Sequence, residues 1–201
     1  MRLDGGHVAL DFVNTLGGLR DAPPNPEDEH LRSYDDLVAW CRRVDLLSEP
    51  AAERLARRAA RQGAEAARSL GRALDLRSTV DSVLRPLAIG RVPEHRALRA
   101  LGEAEREALG SASLRREAST FRWSWPDDAS LDAPLSPLAH AAVDLLTTGP
   151  LERLTLCDRC RWLFLDASKN RSRRWCSMEE CGTDVKKRRY VERRRARRRA
   201  G

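Results

Sequence analysis

The sequence predicts an α+β fold. A mainly helical amino-terminal domain with a few short strands is followed by a small cysteine-rich module, a β-hairpin with a basic carboxy-terminal helix. Three observations carry this expectation. Apolar residues recur at helical spacing through most of residues 33–148. One run, Phe121 to Trp125, alternates with period two instead. Four of the five cysteines fall between Cys157 and Cys181. At 201 residues and 41% hydrophobic content, the chain can build one full core plus a small appendage that needs stapling.

In chain order, His7 to Leu16 carries Val8, Leu10, Phe12 and Val13 and reads as a short strand buried on both faces. Asp11 and Asn14 within it fit either a small-ligand site or local bonding to the backbone, the commoner use of these side chains. Gly17 and Gly18 end the element, and Pro23, Pro24 and Pro26 mark an extended loop. Ser33 and Asp36 have capping-box spacing ahead of a helix whose Leu37, Trp40, Cys41, Val44 and Leu47 face inward. Cys41 has no partner in sequence and reads as a small buried hydrophobe.

Ser48 caps the next helix, with Pro50 in its first turn and a stripe of Leu55, Ala59, Ala66, Leu70 and Leu74. A break is expected near Gly71, and Val80, Leu84 and Leu87 continue beyond it. A helix over 93–109 turns Leu98, Leu101, Ala104 and Ala108 inward. The aromatic strand Phe121, Trp123, Trp125 is then expected to pack on the helical layer. Ser136 and Pro137 open a helix with Leu138, Ala142, Leu145 and Leu146 on its core face. Gly149 and Pro150 end it and place a domain boundary at residue 150. His140 has only Asp144 at helical spacing, a weak pairing for metal or acid–base work.

The cysteines form two pairs, Cys157–Cys160 and Cys176–Cys181. Such spacings let two thiolates on one tight turn face the same ion, and two turns complete a tetrahedral sulfur site. No apolar leader follows Met1 and no run is long enough to span a membrane, so reduced cysteines and a cytoplasmic location are expected. The expectation is one structural Zn(2+) held by Cys157, Cys160, Cys176 and Cys181. Bound zinc contributes roughly 10–16 kcal/mol in small fingers, so losing any ligand is expected to unfold the module. Four thiolates close the coordination shell, which argues against a hydrolytic zinc. The chain also has no GxSxG, HExxH, P-loop or dinucleotide fingerprint, and no enzymatic activity is expected.

Charge is strongly segregated. Residues 151–201 hold 17 Lys and Arg against 7 Asp and Glu, whereas residues 1–150 hold 20 against 23. The whole positive excess lies on the cysteine module, a distribution suited to a polyanion at one end. Candidate nucleic-acid contacts are Arg171, Arg173 and Arg174 before the third cysteine. After the fourth come Lys186, Lys187, Arg188, Arg189, Arg193, Arg194, Arg197 and Arg198. Lys and Arg clusters give affinity without sequence information, and the tail has no Asn or Gln.

The run from Cys157 through WLFLDASKNRSRRWCSMEECG into the basic tail resembles the CGNR-type zinc finger of bacterial proteins connected with transcription regulation. HVALDFVNTL at His7–Leu16 and ALDLRSTV at Ala73–Val80 resemble the ABATE domain that precedes that finger. The resemblance implies a zinc-ribbon-like finger at 151–201 behind an ABATE-like domain at 1–150. It also implies DNA as partner and a small-molecule effector in the first domain, as in a one-component regulator. One departure stands out: Thr183 and Asp184 follow Cys181 and Gly182 where the family name has Asn and Arg. They read as N-cap residues of the basic helix. The alternative is a zinc-stapled module that binds RNA or an acidic protein without regulating a gene. Oligomeric state is not legible.

Overall fold

The structure, a computed structural model, describes residues 1–23, 25–126, 130–187 and 190. The order is α1 (Val8–Val13), α2 (Tyr34–Arg43), α3 (Glu49–Arg61), α4 (Gly63–Ala88), α5 (His95–Gly110), β1 (Ser113–Glu117), β2 (Thr120–Ser124), α6 (Leu135–Thr148), β3 (Leu154–Leu156) and β4 (Leu163–Leu165). Each strand pair is an antiparallel hairpin. The fold is α+β with the cysteines clustered in the carboxy-terminal part.

Helix α4 is the central post. Its first half joins α2, α3, Phe12, Leu131 and Leu138 in one apolar cluster. In its second half Val80, Val83 and Leu84 pack with Ala9, Leu10 and Val13 of α1, Leu101 of α5 and Leu145 of α6. Leu154 and Leu163 of the last hairpin complete that cluster. The cysteine module therefore shares the core of the helical part.

The segment at 7–16 is a helix, not a strand. His7 caps it by accepting the Ala9 amide at 3.2 Å, and Ala9 to Val13 are all buried. A segment buried all round shows no periodicity, and a short apolar run then fits either element. The break expected at Gly71 lies earlier, at Gln62, whose φ of −129° and ψ of 51° end α3 and start α4. Gly71 sits inside α4, where one glycine costs only ~1 kcal/mol and tertiary packing carries the helix through. The Ser33–Asp36 capping box forms as expected, and Cys41 is fully buried.

The aromatic strand is paired by β1, Ser113 with Ser124 through Glu117 with Thr120. It does not enter the core: Phe121 is 67% and Trp123 41% exposed. Trp125 docks most firmly, donating from Nε1 to the Ala108 carbonyl at 2.8 Å and packing on the His140 ring, which Trp123 meets edge-on at 6.3 Å. Alternation survives because one face of a hairpin is apolar whether or not anything covers it. His140 pairs with Glu105 of α5 at 2.8 Å, not with Asp144. Leu98 stays 40% exposed, while Leu101 and Ala108 face in.

Candidate metal centre

The hairpin β3–β4 carries the first cysteine pair at its tip, with Leu154 opposite Leu165 and Leu156 opposite Leu163. Alternation sorts its side chains. Leu163 points into the shared core, and Phe164 lies with the four cysteines, flanked by Trp162 and Trp175. Asn14, at the end of α1, grips this strand from the other side. Its amide donates to the Leu163 carbonyl and accepts the Leu163 N–H, each at 2.8 Å, with both residues buried. This polar residue, open to a ligand role in sequence, is a brace between the helical part and the hairpin.

The first cysteine turn is braced again by the loop after α1. Leu19 forms a β-bridge with Cys160, the Arg20 amide donates to the Arg159 carbonyl at 3.1 Å, and the Arg161 amide donates to the Gly18 carbonyl at 3.2 Å. Gly18 has φ 106°, and a Cβ there would come within 2.8 Å of Asp28 Oδ2, so the loop needs a glycine. Buried Arg77 holds the far end of this loop through a two-pronged pair with Glu29 at 2.8 and 2.5 Å and a bond to Thr15 at 2.7 Å. Burial opposes ionisation of Glu29, but the Arg77 hydrogen bonds, the Leu31 and His30 amides and the Arg77 charge together outweigh it and hold the carboxyl below its usual range.

The second cysteine turn is built differently. Ser177 caps a wide helical turn, Met178–Gly182, by accepting the Glu180 amide at 3.3 Å, and residues 183–187 continue as helix. The N-cap expected at Thr183 or Asp184 is thus Ser177. Asp184 is instead ion-paired with Arg159, tying the start of the basic helix to the first turn. Asp158 adds a second tie, with its amide donating to the Arg174 carbonyl at 2.9 Å and its carboxylate pairing with Arg174 at 2.6 Å.

Cys157, Cys160, Cys176 and Cys181 are all buried, and their sulfurs lie within 4.8 Å of one another. Cys176 Sγ is 3.5 Å from Cys160 Sγ and 3.7 Å from Cys181 Sγ. Four sulfurs at ~2.3 Å from one tetrahedral zinc stand ~3.8 Å apart, so the cluster has the dimensions of a closed zinc site. Its electrostatics call for a cation. Hydrogen bonds from Cys160 and Cys176 pull the Cys157 thiol far below the thiol range. Bonding to Cys157, reinforced by its charge, pushes Cys160 up to about 12. Cys176 is raised by the same bonds, and Cys181 by burial and then by Cys157. One thiolate suppresses the ionisation of its neighbours, and a divalent ion that replaces their protons removes the conflict. The site is one structural zinc centre.

The candidate nucleic-acid residues are dispersed in their roles. Arg173, read from sequence as a phosphate contact, turns inward. Its guanidinium lies 4.9 Å over the Phe164 ring and donates to the carbonyls of Trp175 and Cys176, so carbonyls that zinc turns leave unpaired claim it first. Arg174 is exposed but paired with Asp158 and lies over Trp175. Arg171, with φ 49°, is half-exposed and sits 3.5 Å from Glu152. Lys186 and Lys187 are exposed on the helical segment. Arg188, Arg189, Arg193, Arg194, Arg197 and Arg198 lie outside the described residues. Sequence reasoning passed over Asp158, Arg159 and Asp166. Only Asp166, two residues before Ser168 in a turn-like run, carried a local signal.

No helix among the described residues is long and apolar enough to cross a membrane. Compared with known families, residues 6–149 match ABATE, described as a putative stress-induced transcription regulator, and residues 153–194 match the CGNR zinc finger. No curated protein matches the chain. With most of its length spanned by the first match and the four-sulfur cluster lying inside the second, the chain belongs to the ABATE family and ends in a CGNR zinc finger.

Proposed function

We propose that this chain is a cytoplasmic, DNA-binding transcription regulator of one-component type. The zinc-clamped end grips the duplex, and the helical domain at 1–150 receives a small-molecule signal. The observation that carries the reading is charge segregation: 17 basic against 7 acidic residues from 151 onward, beside a slightly acidic remainder. Ion pairing refines it. Arg153, Arg159, Arg161 and Arg174 are spent on protein partners. Phosphate contact therefore falls to Lys169, Lys186, Lys187 and the basic run that follows, and to Arg171, whose half-exposed pair with Glu152 is weak enough to exchange for a phosphate. The family description supports a regulatory role, and the shared core with the Asn14 brace gives a signal in the helical part a solid path to the finger.

The test is binding of zinc-loaded protein to duplex DNA at several salt concentrations, with the gene's own upstream region and random DNA in competition. About six to eight phosphate contacts give a log–log salt slope of roughly −5 to −7. Upstream DNA should compete far better than random DNA. Equal competition with a steep slope would make the basic end an electrostatic tether and sink the regulator reading. Absence of duplex binding would leave RNA or an acidic protein as the partner.

A further inference from the structure

Basic residues supply affinity but not sequence readout, a task to which asparagine and glutamine side chains are suited. The chain has three asparagines and one glutamine. Asn14 is consumed by Leu163, Asn25 caps a short helical turn by accepting the Glu27 amide, and Gln62 accepts from Arg58. Among the described residues Asn170 alone keeps both the oxygen and the nitrogen of its side-chain amide free, and it is exposed between Lys169 and Arg171.

Its setting is a built loop. Asp166, 3% exposed, accepts the Ser168 amide at one end and the Arg173 amide at the other, each at 2.8 Å. Arg153, the residue before β3, clamps the same end by donating to the carbonyls of Asp166 and Ser168 at 2.9 and 3.3 Å. Within the loop the Ser172 amide reaches Ser168 Oγ at 3.3 Å, and Arg171 takes a left-handed φ of 49°. Arg173, whose amide closes the loop, is the residue whose guanidinium caps the second cysteine turn, so the loop is fixed relative to the metal. A rigidly pinned turn that displays one free amide between two cations has what base-edge recognition requires. An asparagine can pair with adenine through two hydrogen bonds, and flanking cations set register on phosphates.

We propose that the loop of residues 167–172 is the sequence-reading element, with Asn170 contacting a base edge and Lys169 and Arg171 the adjacent phosphates. This rests on the DNA-binding reading above. The experiment is selection from a randomised duplex library by the full zinc-loaded chain, with Asn170→Ala run in parallel. Zinc stoichiometry and far-UV circular dichroism serve as checks of folding for each variant. The wild type should enrich a motif, and Asn170→Ala should flatten it at one or two positions. The preference there should fall by about five- to 150-fold, while affinity for random DNA stays within about twofold. Lys169→Ala and Arg171→Ala should instead weaken all sequences alike, each lowering the salt slope by about one. An unchanged motif for Asn170→Ala overturns the assignment. So does a wild type that binds duplexes without enriching any motif, although DNA binding itself would then stand. Retention of no duplex at all overturns both.

Discussion

Replacing Asn14 by alanine tests the central structural claim, that the finger is held by the helical part. The side chain makes two 2.8 Å hydrogen bonds to the Leu163 backbone, and neither group has access to water. Alanine leaves a buried N–H and a buried C=O unpaired, each costing about 1–3 kcal/mol. The sum, about 2–6 kcal/mol, is a large share of the roughly 5–15 kcal/mol that stabilises an ordinary domain. Urea unfolding followed by circular dichroism at fixed free zinc reads it directly, as a lower midpoint with unchanged slope. Asn14→Asp separates the two bonds, since it keeps an acceptor for the Leu163 N–H but offers the carbonyl no donor. A loss below about 1 kcal/mol for Asn14→Ala would refute the reasoning, because it would mean the two groups find other partners.

Two further predictions follow from the same geometry. Chelating zinc should raise amide hydrogen exchange steeply at residues 174–187 and far less at 154–165, because Leu154 and Leu163 stay in the shared core without the metal; equal loss in both segments would contradict this. Asp11 is pushed up to about 6 by burial, against an ordinary 3.8, with Asp4 adding to the shift and the Gly5 amide opposing it. The folded chain therefore holds this proton more tightly than the unfolded one. Its stabilising contribution is complete below about pH 4 and is lost as pH rises through about 6. Asp11→Asn, which can still accept the Gly5 amide, should flatten that part of the stability profile and gain up to ~3 kcal/mol at pH 7.5. Parallel profiles for variant and wild type would remove Asp11 from the account.

The metal site was legible because its signal is local: two cysteine pairs at fixed spacing, with alternating apolar residues between them, specify turns and hairpin before any tertiary contact forms. The helices with an exposed face were legible for the same reason, since Ser33, Ser48 and their apolar stripes act within a few residues of sequence. What failed was decided at a distance. Helix α1 has no exposed face to betray its period. The β1–β2 hairpin shows the pattern of a core strand, yet Phe121 stays exposed. Arg173 looked like one more cation in a basic run, and only the fold reveals that Phe164 and two carbonyls receive it. Asp184 looked like a loss of the family's basic residue, whereas in space it is the counter-charge of Arg159.

These long-range contacts also change what the zinc does. From the sequence, a finger too small to fold alone should collapse with its metal, because the ion replaces the missing core. In the structure the two cysteine turns differ in what else fastens them. The first cysteine turn is fastened by Asn14, by the Leu19–Cys160 bridge and by Arg85, which donates to the Arg161 carbonyl at 2.9 Å. Among the described residues, the second turn reaches the body mainly through the sulfur cluster, the Arg173 stack and four exposed or half-exposed ion pairs, Arg2 with Glu179 and Glu180, Arg174 with Asp158 and Arg159 with Asp184. Exposed ion pairs contribute about 0–1 kcal/mol each, far less than a closed four-thiolate site. We therefore expect zinc to act less as a substitute for a core than as a clasp on the second turn, with the exchange experiment above as the check.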